Sequence, residues 1–312
     1  MSQSTSVSEH GEDPAPRGVA VLGTGAIGGA MAAALGDAGR RVKLCVRTPF
    51  ERLKRTMPVD GIATTTEYTH EVVTEPRATG AVDWVLLCTK AYQIDGASAW
   101  LERLVDDRTR IAVMQNGVDH VERVAGWVDS SRAVPCILLL PAALEAPGHA
   151  RQAKPGIVQV PDTPASHALQ GLFGDQDAAR IEIVPDFVSA LWSKLVLNAV
   201  GGAICSLVLR PLGAMAEPAV QDLARALIEE VVAVGRAEGA RFDDDVVERT
   251  IAHFSGPIAE HWTSIAVDRR EGRALEWDVR NAVVGRIGRR HGIATPMNDA
   301  MTALLSIIEP HA

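Results

Sequence analysis

Lysine is rare in this chain, and one lysine lies where proton transfer is expected. Five of the 31 cationic residues are lysines. Lys194 and Asn198 lie four residues apart in an otherwise apolar segment, so on a helix they share one face. Burial of such an ammonium group lowers its pKa and suits it to proton transfer near neutral pH. The alternative is an ordinary lysine whose stem covers apolar neighbours while its charge stays in water.

Two further polar residues follow apolar runs that are typical of buried strands. Lys90 comes just after Asp83–Cys88, and Asn116 comes just after Arg110–Met114. Open α/β sheets bind their ligands in loops at the carboxyl ends of the strands. We therefore expect both side chains to lie beside a bound ligand.

The sequence Gly23-Thr24-Gly25-Ala26-Ile27-Gly28 matches the G-x-G-x-x-G pattern of dinucleotide-binding proteins. It lies between the apolar run Gly18–Leu22 and the small-residue segment Gly29–Leu35, which is the strand–turn–helix context that the pattern requires. The first glycine permits a tight turn, the second lets the backbone approach a pyrophosphate, and the third allows close helix–strand packing. The helix N-terminus then offers free N–H groups to the phosphates. The motif predicts dinucleotide binding, with a purely structural turn as the alternative.

The end of the second predicted strand, Arg41–Val46, indicates which cofactor is bound. Sites that prefer NAD usually have an acidic residue there, bonded to the ribose 2′-OH. This chain has Arg47 instead, with Arg52 close behind. Because a guanidinium group pairs well with a 2′-phosphate, the sequence predicts NADP(H). The alternative is a solvated arginine at a strand end.

The elements that position these residues divide the chain into two halves. Strand-like runs alternate with helical segments up to Ile181–Val184, which is typical of a doubly wound parallel sheet. From Pro185 onward, long helical patterns dominate: Phe187–Leu209, Pro218–Glu238, Asp243–Ser255 and Arg273–His291. The sequence therefore predicts an α/β N-terminal Rossmann domain over residues 17–185 and an all-helical C-terminal domain over residues 186–312. Residues 1–16 are polar and acidic, and we expect them to form a disordered tail.

Composition excludes several classes of protein. The 312 residues carry a net charge of −8, which argues against a nucleic-acid or membrane partner. The four cysteines are far apart, so we expect reduced thiols in a cytoplasmic protein and no metal site. The longest uncharged stretch, Leu195–Leu209, is shorter than the ~20 residues of a membrane span, which predicts a buried helix. We expect a small-molecule substrate as the partner. The sequence leaves open whether two copies of the chain form a homodimer.

Taken together, the motifs resemble the ketopantoate reductase (2-dehydropantoate 2-reductase) family. The resemblance runs in order from Gly18 to the C-terminus. It rests on GVAVLGTGAIGG, Thr89–Gln93, Gln115-Asn116-Gly117, Trp192–Asn198, and a final series that includes Ser264, Asp268, Gly272-Arg273, Glu276-Trp277-Asp278, Asn281 and His291–Asn298. It implies reduction of a 2-oxo acid by NADPH in the cleft between the two domains.

The resemblance also implies roles for individual residues. Lys194 would act as general acid toward the developing alkoxide, and Glu276 would accept a hydrogen bond from the substrate hydroxyl. Lys90 would lie beside the cofactor and the active-site carboxylate. The residues expected to bind substrate are Asn116, Asn198 and Ser264. Those expected to bind the cofactor are Gly23, Thr24, Gly25, Ala26, Ile27, Gly28, Arg47, Lys90 and Asn116.

The chain departs from the family pattern at three positions. Gly202 stands where the family usually has a second Asn, four residues after Asn198. Asp119 and Ala282 replace glycines that follow the two Asn-containing turns. A lost hydrogen bond to a buried substrate group costs roughly 1–3 kcal/mol, so the Gly202 departure bears on substrate identity.

Three functions are compatible with these patterns. The first is reduction of ketopantoate for pantothenate biosynthesis. The second is a related NADPH-dependent reductase that acts on a different 2-oxo acid or other carbonyl compound, which Gly202 favours. The third is a cofactor-binding sensor without turnover. The presence of both Lys194 and Glu276 argues against the sensor, because a protein that only binds the cofactor needs neither.

Overall fold

The computed structural model describes residues 17–309, so the predicted tail at residues 1–16 lies outside the described residues. The strands are β1 (Val19–Leu22), β2 (Lys43–Cys45), β3 (Leu53–Val59), β4 (Ile62–Tyr68), β5 (Glu71–Val73), β6 (Trp84–Leu87), β7 (Arg110–Val113), β8 (Ala133–Pro135), β9 (Ile137–Leu139), β10 (Ala142–Ala146), β11 (His149–Gln152), β12 (Gly156–Pro161) and β13 (Ala179–Val184). The helices are α1 (Ala26–Asp37), α2 (Ile94–Leu104), α3 (His120–Val124), α4 (Pro164–Phe173), α5 (Phe187–Val208), α6 (Pro218–Ala237), α7 (Val246–Phe254), α8 (Ser264–Arg270), α9 (Val283–His291) and α10 (Pro296–Ile307).

A six-stranded parallel sheet forms the centre of the first half. Its strand order is β5-β2-β1-β6-β7-β8, and every neighbouring pair is parallel. β1, which is buried along its whole length, pairs with β2 on one side and β6 on the other. The winding of the sheet therefore reverses at β1, and ligands bind at such reversals, beyond the carboxyl ends of the strands. The structure confirms the predicted doubly wound α/β class.

Two smaller sheets accompany the central one. A four-stranded sheet has the order β10-β11-β3-β4, and a three-stranded sheet has the order β13-β12-β9. The β3–β4 hairpin was not predicted. It turns at Asp60-Gly61, both with positive φ, and packs on α1, where the Tyr68 hydroxyl donates a hydrogen bond to Asp37 Oδ1 at 2.7 Å. This hairpin covers α1, the helix that starts at the glycine motif.

The second half is built around α5. This helix has the length and apolar composition of a membrane span, but 61% of its most apolar window is buried inside the protein. It packs against α6, α8 and α10 in one hydrophobic core, which identifies it as the central helix of a folded domain. β13 ends at Val184 and α5 begins at Phe187, so the change in architecture falls at Pro185, where we propose the domain boundary.

The helix predicted over Arg273–His291 is shorter than expected. A π-helical turn begins only at Asp278 and leads into α9, while residues 273–277 form no regular secondary structure. The cause lies at the end of the chain. The main-chain N–H of Leu275 and the indole N–H of Trp277 donate to the Glu309 carboxylate at 3.0 and 2.8 Å, which holds this segment out of a helix. Glu276 lies on this irregular segment and contacts Ala91 and Asn116 of the first half.

Candidate active site

The glycine motif forms the turn between β1 and α1. Gly23 has a φ of +90°, and its N–H donates to the Cys45 carbonyl at 3.1 Å. A Cβ on Gly28 would lie 1.9 Å from the Gly23 carbonyl oxygen, so only glycine permits this contact between helix and turn. A Cβ on Gly25 would meet no atom within 4 Å. The first turn of α1 has no acidic residue and no side-chain cap, so its N–H groups and the open space above Gly25 fit an anionic group.

The Glu276 carboxylate joins the two halves of the molecule. It is 3% exposed and accepts hydrogen bonds from Asn116 Nδ2 at 3.0 Å and from the Ala91 N–H at 3.2 Å. Lys90 Nζ lies 3.3 Å from the same carboxylate. Burial alone would raise the pKa of Glu276, but the charges of Lys90 and Arg280 and these hydrogen bonds outweigh it and lower the pKa. The buried carboxylate is therefore ionised at neutral pH.

Lys90 bridges two carboxylates. Besides Glu276, it donates to Asp268 Oδ2 at 2.8 Å, and Asp268 in turn accepts a hydrogen bond from Arg273 Nε at 2.8 Å. Burial opposes the charge of Lys90, but the two carboxylates raise its pKa above the ordinary value. Lys90 is therefore a fixed cation that holds Glu276 in place. No role for Asp268 followed from the sequence, because its contact with Lys90 joins residues 178 positions apart.

Lys194 lies on α5 at the other side of a small cavity. Together with Asn198 it lines this cavity, opposite Asn116 and the main chain of Leu138. The ammonium group donates to the Leu138 carbonyl oxygen. Burial, with a smaller contribution from the positive charge of Arg280, lowers the pKa of Lys194 to about 8. Lys194 therefore releases its proton far more readily than a lysine in water.

Arg280 is the polar residue of this region that the sequence analysis did not single out. It is 2% exposed, and its Nη2 donates to the Ser264 hydroxyl at 2.9 Å and lies 3.9 Å from Glu276 Oε2. Ser264 is the first residue of α8, and within residues 17–309 its side chain makes no other hydrogen bond. The one sequence signal for Arg280 is its spacing of four residues from Glu276. That spacing is not distinctive in a chain so rich in arginine.

Apart from the glycine turn 23–28, the predicted site residues form one connected region, with Arg47 outside it. Glu276, Lys90 and Asn116 are in contact, Asn116 shares a cavity with Lys194 and Asn198, and Ser264 joins the group through Arg280. Arg47 instead stands alone just after β2, exposed and, within residues 17–309, without a recorded ion pair. The neighbouring Arg52 approaches Glu67 at 4.0 Å.

Comparison with known proteins gives matches along most of the chain. The family model described as "Ketopantoate reductase PanE/ApbA" matches residues 19–165, and that described as "Ketopantoate reductase PanE/ApbA C terminal" matches residues 186–309. A 2-dehydropantoate 2-reductase from Caulobacter vibrioides is 41% identical over 289 residues, which cover 92% of this chain and 98% of the relative. One from Mycobacterium tuberculosis is 39% identical over 290 residues, covering 93% and 97%.

A solved structure shows the same fold. The crystal structure of a PanE/ApbA family ketopantoate reductase from Ralstonia eutropha JMP134 superposes with a TM-score of 0.83 at 26% sequence identity. The match covers 93% of this chain and 98% of that one. The similarity therefore extends over both halves and includes the segments that meet at Glu276.

Proposed function

The chain belongs to the ketopantoate reductase family, and we propose that it reduces 2-dehydropantoate to pantoate with NADPH. The observation that carries this proposal is the meeting of Lys194 and Asn198 from α5 with Asn116 from the strand ends, next to the ionised Glu276. Reduction of a ketone requires a proton donor and positive charge where the alkoxide forms. This region supplies both at the junction of the two halves.

The glycine turn is the proposed binding site of the cofactor pyrophosphate. The open space at Gly25 and the free N–H groups of α1 fit it, and Gly23 and Gly28 bring the turn close to the sheet. Arg47, exposed after β2, would pair with the 2′-phosphate that distinguishes NADPH from NADH. When bound, the nicotinamide supplies the hydride that reduces the C2 carbonyl.

Lys194 would protonate the oxygen of that carbonyl. Its pKa of about 8 keeps the ammonium group mostly charged at neutral pH, while the proton is held more weakly than by an ordinary lysine. An alkoxide is far more basic than this amine, so the transfer is favourable. After the transfer the amine is neutral and is recharged from solvent. Asn198 and Asn116, which line the same cavity, would orient the substrate for this step.

Glu276 would accept a hydrogen bond from a substrate hydroxyl. The carboxylate remains an acceptor because the charges of Lys90 and Arg280 keep it ionised despite its burial. Lys90 acts in this scheme as a positioning residue, because its two carboxylate contacts fix Glu276 relative to Asn116. The site thus combines one proton donor with one buried acceptor.

The test follows the oxidation of NADPH with 2-dehydropantoate beside a panel of other 2-oxo acids. We expect the highest kcat/KM with 2-dehydropantoate. A clear preference for another 2-oxo acid would replace the proposal by the second candidate, a related reductase, which Gly202 in place of Asn favours. Tight NADPH binding without turnover of any substrate would contradict both and indicate a sensor.

A further inference from the structure

The space left by Gly202 on α5 is filled by Arg280. Gly202 lies one helical turn after Asn198, and a Cβ built on it would lie 3.2 Å from Arg280 Nη1 and 3.2 Å from Ile265 Cγ2. These distances are too short for the larger branch of an asparagine side chain unless the guanidinium group moves. An asparagine at residue 202 would therefore require Arg280 or Ile265 to move away from its observed position.

The guanidinium group of Arg280 is buried with part of its hydrogen-bonding capacity unused. Nη2 donates to Ser264, but Nε finds no acceptor among the described residues. The nearby carboxylate of Glu276 is 3.9 Å from Nη2 and already accepts hydrogen bonds from Asn116 and Ala91. Burying an unpaired donor of a charged group costs free energy unless an acceptor binds to it. The unpaired Nε therefore indicates a ligand that accepts hydrogen bonds.

The charges around Arg280 show the sign of that ligand. Three cations, Lys90, Lys194 and Arg280, lie in this region with two carboxylates, Asp268 and Glu276. Lys90 contacts both carboxylates, and Asp268 is shared further with the half-exposed Arg273. The positive charges of Arg280 and Lys194 are thus poorly balanced within the protein. Because Arg273 also pairs with Glu271, the three cations Lys90, Lys194 and Arg280 exceed the two carboxylates by one positive charge, which a singly charged anionic ligand would balance.

We propose that Arg280 binds the carboxylate of the 2-oxo acid beside Ser264 and thereby selects anionic over neutral carbonyl substrates. A planar guanidinium group matches a carboxylate in shape and charge, and Ser264, which Arg280 already contacts, lies beside it. Where the family usually has the neutral amide of an asparagine, this chain has the guanidinium group of Arg280 against Gly202, and this cation is the proposed partner of the anionic substrate. This inference rests on the proposed reductase activity.

The test compares two inhibitors of NADPH-dependent turnover, pantoate and its neutral lactone, in wild type and in Arg280→Met. We expect Arg280→Met to weaken inhibition by pantoate and raise the KM of the 2-oxo acid about 100-fold, because an ion pair in a buried site is lost. Inhibition by the lactone should change less than about threefold. Arg280→Lys, which keeps the charge, should recover part of the loss. Equal changes for both inhibitors, or none, would overturn the proposal.

A second variant tests the same inference if Arg280→Met fails to fold. Gly202→Asn crowds the guanidinium group, so we expect a higher KM for the 2-oxo acid and weaker inhibition by pantoate, with the lactone again little affected. In Gly202→Asn/Arg280→Met the penalties should not add, because both changes disturb the same contact. An unchanged KM in Gly202→Asn, or strictly additive penalties, would contradict the inference.

Two controls separate this inference from the proposed function. Arg290→Met removes a half-exposed arginine that pairs with Glu122 on the surface, and it should leave both inhibition constants unchanged. Wild-type turnover decides the proposed function, because an enzyme inactive with every 2-oxo acid refutes it whatever the variants do. If the wild type is active, the difference between the changes in pantoate inhibition and in lactone inhibition tests the role of Arg280 separately from the proposed function.

Discussion

The two walls of the cleft hold their functional groups in different ways. The strand wall consists of the glycine turn 23–28 with Arg47, at the ends of β1 and β2, and main-chain geometry shapes it: a positive φ at Gly23 and a close contact at Gly28. The helical wall consists of Lys194, Glu276 and Arg280, and buried charges position one another there. Groups held by the main chain act independently, whereas buried charges change one another's pKa.

This difference predicts separable effects. Changes in the strand wall should alter the affinity or the choice of cofactor while proton transfer is preserved. Changes in the helical wall should alter turnover and its pH dependence while cofactor binding is preserved. Four experiments test this separation. A variant that changes cofactor binding and turnover equally would contradict it.

The largest effect is expected for Lys194→Ala. Loss of a general acid typically costs about 10²–10⁴-fold in rate, and no other lysine lines the cavity in the part of the chain that the structure describes. The dissociation constant of NADPH, measured by fluorescence titration, should stay within about twofold of wild type. Lys154→Ala, at an exposed lysine, is the matched control and should leave kcat unchanged. Undiminished turnover in Lys194→Ala would refute the role of the lysine.

Arg47→Glu should alter the choice of cofactor. The variant places a negative charge where the 2′-phosphate would bind, so we expect the preference for NADPH over NADH to fall by about 100-fold. Because Arg47 is exposed, the free energy of unfolding should stay unchanged. Arg77→Glu, at another exposed arginine, should leave the preference as in wild type. Tighter binding of NADH than NADPH by the wild type would refute the assignment of NADPH.

The difference between the two walls also explains which features the sequence predicted and which it did not. The glycine turn and the alternation of strands and helices around it are local sequence patterns. The sequence alone therefore predicted the doubly wound α/β class. The contact between Lys90 and Glu276 joins residues 186 positions apart, and only the resemblance to a known family suggested it. Arg280 could not be distinguished among 26 arginines, because its burial depends on the absence of a side chain at Gly202, on another helix.

The missed hairpin and the shortened helix have different causes. The β3–β4 turn contains Asp60-Gly61, a recognised hairpin signal, so this hairpin was predictable from local sequence. The irregular segment before Asp278 carries no such signal, because its conformation depends on hydrogen bonds to Glu309 near the other end of the domain. Long-range contacts of this kind override local helix propensity.

Two glycine variants sharpen the description of the strand wall. Gly28→Ala should destabilise the protein by about 1–3 kcal/mol, because its methyl group would lie 1.9 Å from the Gly23 carbonyl oxygen in the wild-type backbone. Gly25→Ala has open space around the new methyl group and an ordinary φ of −68°, so the free energy of unfolding should change by less than about 1 kcal/mol.

The cofactor gives the second measurement on the same pair. In Gly25→Ala the methyl group would occupy the space proposed for the pyrophosphate, so the affinity for NADPH should fall about tenfold in a protein of normal stability. Chemical denaturation and NADPH titration of both variants check these expectations. Equal losses of stability in the two variants would contradict the distinction between a packing glycine and a glycine at the cofactor.

The smallest effect is expected in the pH dependence of the reaction. Lys194 must carry its proton to act as general acid, and burial together with the charge of Arg280 lowers its pKa to about 8. Below pH 8 most of the enzyme holds this proton, and above pH 8 the protonated fraction falls about tenfold per pH unit. We therefore expect kcat/KM for the 2-oxo acid to fall with rising pH on a limb near pH 8. The affinity for NADPH should not show this decrease near pH 8.

The position of this limb tests whether the charges of the helical wall are coupled. Arg280→Met removes the positive charge that contributes to the low pKa of Lys194, so the limb should move to higher pH, while burial still keeps it below the ordinary lysine value. Arg47→Glu, on the strand wall, should leave the limb in place. A limb that stays near pH 8 in Arg280→Met would show that burial alone lowers the pKa, and that Lys194 and Arg280 act independently.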